Sequence, residues 1–163
     1  MRSLRSSALE NYATGQVRPG AQMPLVGSGG LHLITAHEVQ ALRSALAQGR
    51  LPADFEAKLA RLAGGSLSDR YVEQNSRLFF ALLLAALKSD FLEATPSDRE
   101  RLLRVLAYVR KDDDAIPDYL PSGFADDQQE VRAAAAELQP ILHAFKVWRL
   151  RHQVPGMWWG WSH

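Results

Sequence analysis

A chain of 163 residues, 47% hydrophobic and 23% charged, is long and apolar enough to bury one core without disulfides or a structural metal, and too apolar to stay disordered. It contains no cysteine, which excludes disulfide frameworks, cysteine-held zinc, iron–sulfur clusters and thiol catalysis. The formal net charge of +1 gives no global attraction to nucleic acid or anionic lipid, so any electrostatic function has to come from local patches.

Residues 1–30 are punctuated by Gly15, Pro19, Gly20, Pro24, Gly27, Gly29 and Gly30, which break every hydrophobic period, and they read as an irregular N-terminal arm. Arg2 and Arg5 are followed by Ser6, Ser7 and Glu10 rather than by an apolar stretch, so no secretory signal is expected and the expected location is the cytoplasm. A helical domain is expected over residues 31–154, followed by a tryptophan-rich tail over 155–163.

Within that domain, Thr35-Ala36-His37-Glu38 forms a capping box, and Val39, Leu42, Ala45 and Leu46 continue as an apolar stripe that Gly49 ends. Pro52 suits the first turn of a second helix, in which Phe55, Leu59 and Leu62 share a face before Gly64 and Gly65. From Ser68 to Lys88 neither Gly nor Pro occurs and the second half is apolar on nearly every side, which predicts a central helix. Its apolar run, Leu78 to Leu87, is about half the length a bilayer core demands. Ser97-Asp98-Arg99-Glu100 reads as a second capping box, opening a helix with Leu102, Leu103, Leu106 and Val109 buried. Asp126 is expected to cap a last helix carrying Val131, Ala135, Leu138, Leu142 and Phe145, which Pro140 should kink or divide. No strand alternation or internal repeat is present, so the expected fold is all-α: a compact five- or six-helix bundle-like domain.

The chemically informative stretch runs from Asp112 to Asp127, with six aspartates in sixteen residues. Pro117 and Pro121 stiffen it and push Ile116 and Leu120 toward extended conformations. Asp114, Ile116, Pro117, Asp118, Pro121, Gly123, Asp126 and Asp127 together resemble the YkvA-like domain family of unknown function. There a helix is followed by a D-x-I-P-D-x-x-P stretch, a glycine, and an acidic pair opening the next helix. The resemblance covers roughly Leu102 to Trp148, and it implies a compact helical fold and no established activity.

Three roles suit these aspartates. They can cap turns and helix starts, where the helix dipole stabilises a carboxylate by about 0.3–1 kcal/mol. Asp114, Asp118, Asp126 and Asp127 can instead converge as oxygen ligands on magnesium or calcium, in a divalent-metal enzyme or sensor, although the EF-hand pattern is absent. They can also present an acidic surface to a basic partner. No H-E-x-x-H, G-x-S-x-G or G-x-x-x-x-G-K pattern occurs, which favours a non-enzymatic protein with no cofactor.

At the C-terminal end, Trp148, Arg149 and Arg151 lead into Trp158, Trp159 and Trp161. Tryptophan beside basic residues suits a pocket on a protein partner, self-association or peripheral attachment to a membrane surface. The sequence therefore reads as a helical protein-binding or adaptor module, with the acidic segment and the aromatic tail as its two surfaces. Divalent-metal chemistry and membrane attachment are the alternatives, and nucleic acid is disfavoured.

Overall fold

Thr35 opens the first helix: its hydroxyl accepts from the Glu38 amide at 3.2 Å while the Glu38 carboxylate accepts from the Thr35 amide at 2.7 Å. The computed structural model describes residues 34–111 and 124–152, and in it this reciprocal cap starts α1 (Ala36–Ala47). Val39, Leu42 and Leu46 are its buried stripe, and Gly49, at φ 76°, adopts the left-handed conformation that ends it. The second helix, α2 (Ala53–Ala63), begins one residue after Pro52, which occupies the cap position rather than the first turn.

Two further capping boxes set the starts of the longest helices, and each lies upstream of the expected position. α3 (Leu67–Leu87) is capped by Ser66 and Asp69, and α4 (Pro96–Arg110) by Thr95 and Asp98. In the second case Thr-Pro-Ser-Asp-Arg-Glu holds two overlapping box patterns. Pro96 decides between them, because its fixed φ and missing N–H suit the first helical position and place the cap on Thr95 instead of Ser97. Gly65 has a steric reason: a Cβ there would lie 2.3 Å from Asp69 Oδ2, the atom that closes the α3 box.

The last helical stretch, expected to be kinked or divided by Pro140, is two helices, α5 (Ala125–Glu137) and α6 (Gln139–His152), broken at Leu138. Pro140 falls in the first turn of α6, where its absent donor costs nothing. Asp126 does not cap α5. The cap position is Phe124, without a side-chain bond, and Asp126 lies inside the first turn.

Among the described residues the architecture is these six helices, with no strand. α3 is the central element and packs against α1, α2, α4 and α5; α4 also meets α1, α2 and α5. Phe55, Leu59, Leu62, Phe79, Leu82, Leu102, Leu106, Val131 and Phe145 are fully buried in one continuous core. Past α3, Ser89 takes φ 61° and lets the chain turn back, so that Phe91 enters the core at 2% exposure. There it receives α6: the Phe91 ring stands edge-on to Phe145 at 5.3 Å and to Trp148 at 5.7 Å. No described helix is long and apolar enough to cross a membrane.

Candidate functional site

Charged residues occupy the apolar faces of two helices that meet near the start of α5. On α2, Lys58 follows Phe55 by three residues and precedes Leu62 by four, so helical geometry places it on the buried stripe. On α5, Asp127 and Glu130 share the face of Val131 and Ala134. The structure joins Lys58 to Asp127. Lys58 Nζ lies 3.1 Å from Asp127 Oδ2, with the two side chains 1% and 0% exposed, and donates to the Lys111 carbonyl at 3.0 Å. Next to this pair, the Tyr108 hydroxyl donates to Asp126 Oδ2 at 2.7 Å. Tyr108, Asp126 and Glu130 are all buried.

A charge removed from water is tolerated only when paired and hydrogen-bonded. The Lys58–Asp127 pair, the Lys111 carbonyl and the Tyr108–Asp126 bond meet that condition and tie α2, α4 and α5 together. Lys58 thus meets residues on both sides of the 112–123 segment, the Lys111 carbonyl and the ring of Phe124, whose centre is 5.7 Å from Nζ. Two surface pairs brace the same end of α4. Arg110 Nε donates to Asp54 at 2.9 Å, and Lys111 Nζ lies 3.1 Å from Glu38. The hydrogen bond from Arg110 holds the Asp54 carboxyl below its ordinary range, against partial desolvation. For Glu38, desolvation pushes upward, but the Thr35 backbone bond and Lys111 outweigh it and the net direction is down.

Of the four carboxylates expected to converge on a cation, Asp114 and Asp118 lie outside the described residues. Asp126 and Asp127 are inside the core, turned toward Tyr108 and Lys58 instead of outward. No group of three or more His, Asp or Glu side chains among the described residues is arranged to hold a metal. The sequence reading missed Lys58, Tyr108 and Glu130. Its available signal was a lysine on the apolar stripe of one helix and acids on the apolar stripe of another.

Of the second candidate surface, the basic tryptophan-bearing C-terminal end, the part on α6 is described. Trp158, Trp159 and Trp161 lie outside the described residues. Trp148 is half-buried, stacked on Phe145 at 5.7 Å and on His152 at 4.8 Å. Arg149 is also drawn inward, to 7% exposure, with its guanidinium 5.5 Å from the Phe145 ring centre, and desolvation lowers its pKa. Arg151 is exposed. On the side away from Phe145, His143, Lys146 and Leu150 recur at three- and four-residue steps and all face solvent, Leu150 at 77% exposure.

Compared with protein-family models, with curated proteins and with solved structures, the chain finds no match. Of the residues that carry the YkvA-like resemblance, Asp126 and Asp127 are described, and those from Asp114 to Gly123 are not.

Proposed function

We propose that this chain is a non-enzymatic helical module that binds a protein partner through the outer face of α6. The observation that carries the reading is Leu150, 77% exposed on a helix whose opposite face is anchored by Phe145 and Trp148, with Lys146 one turn before it and Arg151 beside it. A large apolar side chain held on a rigid helix and flanked by cations suits an apolar slot with an acidic rim. The described acids of the other candidate surface are turned inward: Asp126 meets Tyr108 and Asp127 meets Lys58. That leaves α6 as the better supported contact face.

The test is crosslinking and affinity isolation of the tagged chain from its source cells, comparing wild type with Lys146→Glu/Leu150→Asp and with Leu67→Asp. Leu67, 83% exposed at the start of α3, controls for stickiness of any exposed leucine. A stoichiometric protein held by wild type and Leu67→Asp but lost from the α6 double variant is the expected result. Retention by the α6 variant, or no stoichiometric partner, would overturn the assignment.

A further inference from the structure

Between α1 and α4 lies a half-open cavity of about 220 Å³. Ile34 and Val39, both largely buried, supply an apolar part of its lining. Arg43, Glu100 and Arg104 supply a charged part. Glu100 accepts from Arg43 Nη2 at 2.7 Å through one carboxylate oxygen and from Arg104 Nε at 3.3 Å through the other. Two guanidinium groups therefore share one carboxylate, and the trio keeps an excess of one positive charge. Glu38, the neighbouring acid on α1, does not cancel it, because it is paired with Lys111.

A guanidinium carries five N–H donors in a planar fork that matches a carboxylate. One bond apiece to Glu100 leaves most of the donors of Arg43 and Arg104 for a further acceptor. We propose that this cavity binds a small amphiphilic monocarboxylate, its head bridging Arg43 and Arg104 and its short tail resting on Ile34 and Val39. The single excess charge selects a monoanion, the forks favour a carboxylate, and the volume admits a tail of only a few carbons. Both guanidiniums are about half exposed, so solvent competes and the affinity falls in the millimolar range.

Hexanoate is the probe, titrated into the full ¹⁵N-labelled chain while the amide resonances of residues 34–43 and 100–104 are followed, with hexanol as the uncharged control. Saturable shifts confined to those two stretches are expected with hexanoate and not with hexanol. Arg104→Gln should weaken binding about fivefold or more, and Glu100→Gln, which removes the internal competitor and raises the excess charge, should tighten it about threefold. Both positions are on the surface, so unchanged spectra elsewhere verify the fold. Three results would overturn the proposal: no saturation by about 20 mM hexanoate, which includes the case where the residues preceding Ile34 fill the cavity; shifts centred elsewhere; or affinities indifferent to either charge change.

Discussion

The start of α5 and the body of α6 are consecutive in the chain, yet they are fastened by opposite kinds of chemistry. At α5 the fastening is polar and fully buried, with Lys58 on Asp127 and Tyr108 on Asp126 reaching from two other helices. At α6 it is an aromatic seam in which Phe91, Phe145 and Trp148 pack edge-on and stacked, with His143, Lys146 and Leu150 exposed on the other side of the helix. A buried ion pair demands a fixed geometry from every element that contributes to it, whereas an aromatic seam tolerates small shifts of one helix against a loop. The contrast underlies the proposed assignment: Asp126 and Asp127 are buried against Tyr108 and Lys58, whereas His143, Lys146 and Leu150 on α6 are exposed.

Breaking the polar fastening should have the largest effect. Lys58→Met removes the cation from a fully buried carboxylate and should cost about 3–5 kcal/mol, read as a lowered urea midpoint with an unchanged slope. Lys58→Met/Asp127→Leu removes both charges and should recover most of that loss, because an apolar pair of similar volume avoids the desolvation penalty. If the two substitutions simply add, Asp127 does not depend on Lys58 and the contrast drawn above fails.

The aromatic seam should respond less and more locally. Phe145→Ala empties a fully buried ring site at a cost of about 3 kcal/mol. Because the described contacts of α6 are mainly with α5 and the Phe91 loop, hydrogen exchange should quicken in residues 139–152 while Lys58, Tyr108 and their neighbours keep their protection. Uniform loss of protection throughout the core would mean that α6 belongs to the same cooperative unit as the ion pair, and that its outer face is no more independent than the rest.

Helix identity was legible in the sequence because each helix has a 3.6-residue apolar stripe with a punctuating Gly, Pro or cap, as in Thr35 to Gly49. Boundaries were less so: Thr95 and Ser97 both offer a box, and the choice depends on the residue between them. The break at Leu138 was visible through Pro140, since a proline two residues into a helix is favourable while one in its interior is not. The polar cluster was the hardest to see. Asp126 and Asp127 at a helix start satisfy every rule for an exposed first-turn acid. Only the partner stripe on α2, more than sixty residues earlier, identifies Asp127 as buried. Single-helix reasoning has no access to such a long-range charge match.

The smallest expected effect concerns the surface pairs at the end of α4, and it tests whether the buried pair is really different in kind. The carboxyls of Asp54 and Glu38 are held below their ordinary values of 3.8 and 4.5. Lowered folded values mean that the unfolded chain binds protons first on acidification, so the stabilisation is complete above the ordinary values and is lost as pH falls through the folded ones. Arg110→Gln removes the main cause of the Asp54 shift. Since Asp54 is largely exposed, solvent screening limits the loss near neutrality to about 0.2–1 kcal/mol. The gap between wild type and variant should then close as the pH is lowered through the acid range, and should narrow with added salt at neutral pH. A gap that stays constant with pH would show that Arg110 acts through packing of its alkyl stem rather than through its charge on Asp54. In that case the α4 end would be held by apolar contact, as α6 is, and the polar fastening would shrink to the buried core around Lys58.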